Sequence, residues 1–151
     1  MASINDCLAA LRTTITANTG VRCVDIMDAP PVPCCMVYPA SPFNEDYYSA
    51  FKRGVFELDV IVQPCVPSTA LRSAQNDLND WLSPFGPKSI GQAVYQNPTL
   101  GTAATESAAA SDATMTAHVV KVDEYGMVTA VDGTRYLSAK ITVHIMTRGD
   151  L

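Results

Sequence analysis

The two histidines are the side chains of this sequence best suited to proton transfer, and each lies in a run with the two-residue period of a β-strand. His118 and His144 are the only histidines among 151 residues. A catalytic histidine needs a nucleophile beside it and a third group that orients its ring. No third group can be identified around either histidine, so both are predicted to be ordinary strand residues on a mixed polar and apolar face.

The cysteines are the other candidates for chemistry, as nucleophiles or as metal ligands. They are odd in number and irregularly spaced: Cys7, Cys23, Cys34, Cys35 and Cys65. A Cys-x-x-Cys motif is absent, so the spacing favours neither a zinc site nor a disulfide framework. We therefore expect buried free thiols, with Cys34 and Cys35 as inert packing in an apolar strand. Neither a metal nor a cofactor is predicted.

The remaining motifs do not indicate catalysis. Gly86-Pro87-Lys88-Ser89 resembles the end of a phosphate-binding loop, but Pro87 lacks an N–H and Trp81 stands where that motif needs glycine. The acidic pair Glu45-Asp46 is predicted to be solvated in a loop. We therefore expect a protein that is not an enzyme. The alternative, a small enzyme with an unrecognised site, requires a deep pocket with converging titratable groups.

Charge and hydropathy narrow the set of partners. A net charge of −5 argues against tight nucleic-acid binding, because neutralising phosphates needs a basic face. An acidic surface would still let DNA slide past. No run approaches the roughly 20 apolar residues of a membrane-spanning helix, and the first residues lack the basic and apolar regions of a secretory signal. No membrane partner is expected.

Hydrophobic periodicity predicts two main helices, one from Ile4 to Asn18 and one that Pro67-Ser68-Thr69 opens and Ser83–Pro87 ends after Leu82. A shorter helical segment is predicted between Ser89 and Gln96, with Ile90, Ala93 and Val94 turned inward. The predicted strands are Val21–Met27, Cys34–Tyr38, Arg53–Gln63, Met115–Val122 and Tyr136–Thr147. Turn residues at Asp123–Gly126 and Asp132-Gly133 join the last two strands as an antiparallel hairpin. This order predicts one α+β domain, a mostly antiparallel sheet with the two main helices on one face.

Two stretches predict contact with other molecules. The segment Pro39–Lys52 carries four aromatic residues, which are enriched at interface cores; alternatively, this loop folds back over the sheet. The strand Arg53–Gln63 has one apolar and one mixed face, and its charged residues are candidates for ion pairs between subunits or for a solvated surface. The predicted contact residues are Phe43, Tyr47, Tyr48, Phe51, Arg53, Glu57, Asp59, Asp123, Glu124, Tyr125 and Arg135.

Several pieces of the sequence, taken together, resemble the tail terminator proteins of long-tailed bacteriophages that infect actinobacteria. The pieces are Ser3–Leu11, Gly20–Arg22, Pro30–Cys34, Ala74–Leu82, Ser83–Ile90, Asn97–Gly101, Tyr125-Gly126 and a final strand ending near Thr147. They span nearly the whole chain. The most specific are Leu82–Ile90 and Pro98–Gly101, whereas Thr102–Thr114 is longer and richer in small residues than the family pattern.

The resemblance implies a homohexameric ring that caps the completed tail tube, stops its growth and joins it to the head connector. The implied partners are other copies of the chain, the tail tube protein and the head–tail connector or stopper protein. DNA would only pass through the lumen. The implied location is the tail or neck of the virion, after assembly in the bacterial cytoplasm. Such a head-to-tail ring needs two different surfaces on each subunit.

Two further functions remain as alternatives to a tail terminator. One is another ring-forming neck or tail-tube protein of the same virion, although tube proteins usually need long hairpins for stacking and only one hairpin is predicted. The other is an adaptor that binds a linear peptide along an exposed sheet edge.

Overall fold

The computed structural model describes residues 4–25, 32–40, 45–47, 56–68, 71–98, 100, 115–130 and 132–147, with the backbone alone for 45–47 and 56. Three helices and six strands lie within these ranges. In chain order they are α1 Ile4–Thr19, β1 Cys23–Val24, β2 Cys34–Pro39, β3 Glu45–Tyr47, β4 Phe56–Pro67, α2 Leu71–Leu82, α3 Ile90–Gln96, β5 Met115–Thr129 and β6 Arg135–Thr147.

The strands form one sheet in the order β1-β2-β4-β6-β5, with β3 paired to one end of β4. Every pairing is antiparallel except that of β1 with β2. The predicted class, a mostly antiparallel α+β domain, is confirmed. The strand predicted from Arg53 to Gln63 is β4, which runs on to Pro67, while 53–55 lie outside the described residues.

The core lies between the sheet and the three helices, which share one face of it. Alternate residues of β4 and β6 enter this core because successive strand side chains point to opposite faces. The most deeply buried members include Leu11, Ile15, Leu58, Val60, Val62, Leu78, Ile90, Val94, Ile141, Val143 and Ile145. The apolar face predicted for β4 is therefore the core face, and the helix predicted after Ser89 is a third member of the helical layer.

The strand predicted from Val21 to Met27 is wrong at its start. Only Cys23 and Val24 pair with a neighbour, while 26–30 lie outside the described residues. Gly20, with φ of +75°, ends α1 in the left-handed conformation. The backbone of Val21 is then held by the last turn of α1: its N–H donates to Thr19 Oγ1 and its carbonyl accepts from Thr16. Val21 therefore uses its N–H and carbonyl at the end of the helix, and hydrogen bonding to β2 begins at the carbonyl of Arg22.

The turn predicted at Asp123–Gly126 is also wrong, because these residues lie within β5. The register between β5 and β6 shifts there, which is a β-bulge, and Glu124 adopts a φ of 54°. The hairpin closes instead at the second predicted turn, where Gly133 has a φ of 86° and its N–H donates to the carbonyl of Ala130. The strand β5 is consequently almost twice as long as predicted.

The opposite face of the sheet carries a smaller cluster built on Cys34, Met36, Cys65 and Tyr136. A chain of polar contacts lies beside it. The hydroxyl of Tyr38 donates to Gln63 Oε1 at 2.5 Å, and Gln63 Nε2 donates to Ser138 Oγ at 3.2 Å. Within the described part of the chain, no helix is long and apolar enough to cross a membrane.

Candidate functional site

A row of titratable side chains crosses the sheet on the face away from the helices. Asp59 of β4 is paired with His144 of β6, which in turn is paired with His118 of β5. Side chains that are directly opposite on adjacent strands lie on the same face and interact. The register of three strands therefore brings together residues that are far apart in sequence.

His144 is held between two carboxylates. Its Nδ1 lies 2.8 Å from Asp59 Oδ1, and its Nε2 lies 3.6 Å from Glu57 Oε2. An ionised carboxylate only accepts hydrogen bonds, so the Nδ1–H of His144 donates to Asp59. The ring of His118 follows at 5.3 Å between ring centroids, tilted by 52°. We call these four residues, Glu57, Asp59, His118 and His144, the acidic–histidine row.

The prediction that no third group orients either histidine ring is wrong for His144. Asp59 is such a group, and the strand alternation alone could not show it. The second ring nitrogen of His144 faces Glu57 rather than a hydroxyl or a thiol, which differs from a catalytic triad. The arrangement concentrates charge on a partly exposed surface. Among the described residues, no three or more His, Cys, Asp or Glu side chains form a group that could hold a metal ion.

An apolar groove lies near β5, on the helical side of the sheet. Its volume is about 1030 Å³, and it is lined by the end of α2, the following loop, one side of α3, and residues of β5 and β6 that include His118, Val119, Val122 and Ile141. Two aromatic rings line it while remaining open to solvent: Phe85 is 80% exposed and Tyr95 is 84% exposed.

Local hydrogen bonds fix the walls of this groove. Ser89 caps α3 by accepting from the N–H of Gln92 at 3.0 Å, and its hydroxyl donates to the carbonyl of Ser83. The side chain of Gln92 in turn accepts from the N–H of Gly86 at 2.6 Å. These hydrogen bonds tie the loop between α2 and α3 to the first turn of α3, and they leave Phe85 of this loop exposed.

The other wall of the groove belongs to an edge strand. β5 is the last strand of the sheet on this side. The carbonyl of Pro98 accepts from the N–H of Ala117 at 2.7 Å, which ties the segment after α3 to β5. Farther along β5, Val120, Val122 and Met127 are 53%, 45% and 38% exposed. An edge strand with exposed apolar side chains is a surface suited to contact with another protein.

The predicted contact residues lie in different parts of the structure. Glu57 and Asp59 belong to the acidic–histidine row. The predictions for Phe43, Tyr48, Phe51 and Arg53 fall outside the described residues. Tyr47 is described by its backbone alone, as the residue of β3 paired with Phe56.

The four predicted contact residues of the last hairpin lie apart from the row. Asp123 pairs with Lys121 at 3.3 Å and Glu124 with Lys140 at 2.7 Å. The hydroxyl of Tyr125 donates to Asn79 Oδ1 of α2 at 3.2 Å. Arg135 is exposed at the start of β6, where its carbonyl accepts from the hydroxyl of Ser68.

Sequence reasoning missed the groove and its exposed rings. Phe85 follows the second helix in a segment predicted only to end it, and Tyr95 adjoins the inward-facing Ala93 and Val94 of the short third helix. The helical period already placed Tyr95 away from the core, since its neighbours Ile90 and Val94 were the inward residues. That outward position was the available indication of an exposed aromatic ring.

All five cysteines are thiols rather than disulfides, as predicted, and four of them are buried. Cys23 differs, since it is only partly buried.

No protein-family model matches this sequence, and no curated protein matches it.

Proposed function

We propose that this chain is the tail terminator of a long-tailed bacteriophage, a structural protein that forms a ring on the completed tail tube. The ring stops tube growth and offers its other side to the head connector. The sequence resemblance suggests the family. The apolar groove beside an edge strand, with Phe85 and Tyr95 exposed on its lining, is the structural feature that supports this proposal.

The groove supports assembly because its surface is costly to leave in water. Burying apolar area contributes roughly 25 cal/mol per Å², and aromatic anchors in desolvated pockets contribute most to interface energies. Phe85 and Tyr95 offer aromatic anchors from a loop and a helix, and Val122 adds apolar surface from a strand; hydrogen bonds hold these elements together. A second subunit seated here would bury them without rearranging the domain.

The acidic–histidine row supplies a second, chemically different surface. A ring that closes by head-to-tail contacts needs two unlike surfaces on each subunit. Glu57, Asp59 and His144 present polar groups on the sheet face opposite the helices, whereas the lining of the groove is mostly apolar; His118 belongs to the row and also lines the groove, so the two surfaces meet at the β5 edge of the sheet. In the proposed ring, the groove is one contact surface and the face of Glu57 and Asp59 is the other. The net charge of −5 is compatible with a lumen through which DNA passes without binding.

The test is electron microscopy of a lysate from phage that carry a stop codon in this gene. Loss of the terminator predicts headless tails of uncontrolled length. Complementation with the wild-type gene must restore uniform tails. Tails of normal length beside unattached full heads would refute the proposal and would place the protein on the head side of the neck.

One observation favours a second candidate, another ring-forming neck or tail-tube protein. The β5–β6 hairpin spans Met115 to Thr147, as predicted, but its strand β5 is longer than the sequence predicts, and long hairpin strands suit the stacking of tube rings. The same lysate separates the two functions. A missing tube protein leaves no tails at all, whereas a missing terminator leaves tails that are too long.

A further inference from the structure

Four of the five cysteines face each other in two pairs across neighbouring strands. Cys23 of β1 is opposite Cys35 of β2, and Cys34 of β2 is opposite Cys65 of β4. Since Cys34 and Cys35 are consecutive, they point to opposite faces of the sheet. Cys35 accordingly lies in the core beneath the helices, while Cys34 and Cys65 lie in the smaller cluster on the other face. The sheet thus holds two separate pairs of thiols.

The two pairs differ in their access to solvent. Cys34, Cys35 and Cys65 are all 0% exposed. Cys23 is only partly buried, because β1 is the edge strand of the sheet and has two residues. Cys23 is therefore the member of this pair that lies nearer to solvent, and Cys35 lies deeper in the core.

The surroundings of Cys23 favour its thiolate. A hydrogen bond from the thiol of Cys35 lowers the pKa of Cys23 to about 7, with further lowering from the hydroxyl of Thr16 and the guanidinium of Arg12, against the opposing effect of burial. Arg12 is held in place by Asp25 at 2.7 Å. Burial raises the pKa of Cys35, which keeps that residue a protonated donor. The thiolate is the nucleophilic form of cysteine.

The spacing of the strands suits a bond between the two sulfurs. Adjacent strands of a sheet lie roughly 4.7–4.9 Å apart, and disulfides join residues whose Cα atoms are about 4.4–6.8 Å apart. Cys23 and Cys35 are Cα partners in the β1–β2 register.

We propose that Cys23 and Cys35 form a dithiol site that reduces small disulfides, with Cys23 as the attacking thiolate and Cys35 as the resolving thiol. Cys23 attacks one sulfur of the substrate, the substrate S–S bond breaks, and one thiolate leaves. Cys35 then attacks the Cys23 sulfur, its proton passes to the second substrate sulfur as that sulfur leaves as a thiol, and a Cys23–Cys35 disulfide remains. Two protein thiols are oxidised and one disulfide is reduced, so the electrons balance. The inference rests on α1, β1 and β2 alone and does not depend on ring assembly.

The test uses the native full-length chain and a chromogenic aromatic disulfide, dithiobis-nitrobenzoate, as the probe. We expect a fast release of two thionitrobenzoate ions per chain and a product without adduct, in which peptide mapping finds Cys23 joined to Cys35. The rate of the fast phase should rise with pH through a midpoint near 7, the pKa of Cys23.

Two variants separate the attacking and resolving roles. Cys35→Ser keeps a hydroxyl donor to Cys23, so it should release one ion rapidly and retain the mixed disulfide on Cys23. Cys65→Ser is the matched control, because Cys65 belongs to the other, fully buried pair, and it should react like the wild type. A wild-type chain that keeps the mixed disulfide, or a first adduct on any other cysteine, overturns the proposal. Mapping of the wild type decides this even if a variant fails to fold.

Discussion

Replacement of Tyr95 by alanine tests whether the apolar groove is a contact surface. The ring is 84% exposed in the isolated chain. Its removal should therefore change the free energy of unfolding by no more than about 0.5 kcal/mol, as for ordinary surface substitutions. An aromatic anchor buried between subunits is worth about 2 kcal/mol or more, which corresponds to a roughly 30-fold weaker contact. The substitution should leave folding intact and impair assembly.

The assay is complementation of the stop-codon phage with the variant gene, scored by the distribution of tail lengths in electron micrographs. Tyr95→Ala should give overlong tails, whereas Tyr95→Phe, which keeps the ring, should give uniform ones. Thermal or urea unfolding of the purified variant checks the fold. Leu78→Ala provides the contrasting case, because Leu78 is 0% exposed and its truncation should cost about 2–5 kcal/mol of stability. A folded Tyr95→Ala protein that restores normal tails would refute the role of the groove.

Three further predictions concern the sheet. Glu57→Lys reverses a charge beside His144 and should impair complementation, whereas Asp77→Lys, the same change on the exposed side of α2, should not. Burial raises the pKa of Tyr38 to about 12, whereas the phenol of an unfolded chain ionises near 10. The stability that the protonated Tyr38 contributes is therefore complete below about pH 10 and is lost as the pH rises toward 12. Tyr38→Phe should reduce this loss of unfolding free energy at alkaline pH, measured by urea titrations. Glu124 has a φ of 54°, which asparagine tolerates better than other side chains. The Glu124→Asn variant should therefore have a free energy of unfolding up to about 1 kcal/mol higher than that of Glu124→Gln. Equal free energies would argue against backbone strain in the bulge.

The sequence predicts best those helices and strands whose apolar residues recur with a regular period because only one face packs against the core. In β4, Leu58, Val60 and Val62 alternate with residues of mixed polarity because one face meets the core and the other does not. The helix α1 is predicted to within one residue at its end, since its buried residues recur at helical spacing and Gly20 provides the terminating conformation. Each of these signals is local, so it can be read without knowledge of the fold.

The wrong predictions concern residue types that are compatible with more than one local structure. Asp123–Gly126 has the composition of a turn, but glycine and a residue with positive φ also suit a bulge within a long strand. The outcome depends on whether β6 continues to pair beyond that point, which is a property of the partner strand. The row of Asp59, His144 and His118 is hidden for the same reason, because only the register between β4, β6 and β5 brings these side chains together.

The proposed ring makes a prediction that distinguishes head-to-tail contacts from symmetric ones. If the groove of one subunit meets the acidic–histidine row of the next, Tyr95→Ala damages one half of every contact and Glu57→Lys damages the other half. Each variant alone then lacks any intact contact. A mixture of the two contains one intact combination, in which the unaltered groove of the Glu57→Lys chain meets the unaltered row of the Tyr95→Ala chain.

Under conditions in which the wild-type chain forms rings, the mixture should therefore yield a dimer of unlike chains and no ring, because the second contact of each chain stays damaged. Native mass spectrometry resolves the two chains by mass if one is isotopically labelled. A symmetric interface, in which each surface meets its own copy, predicts a different result. The Glu57→Lys chain would pair with itself through its intact groove, and dimers of like chains would form in each solution before mixing.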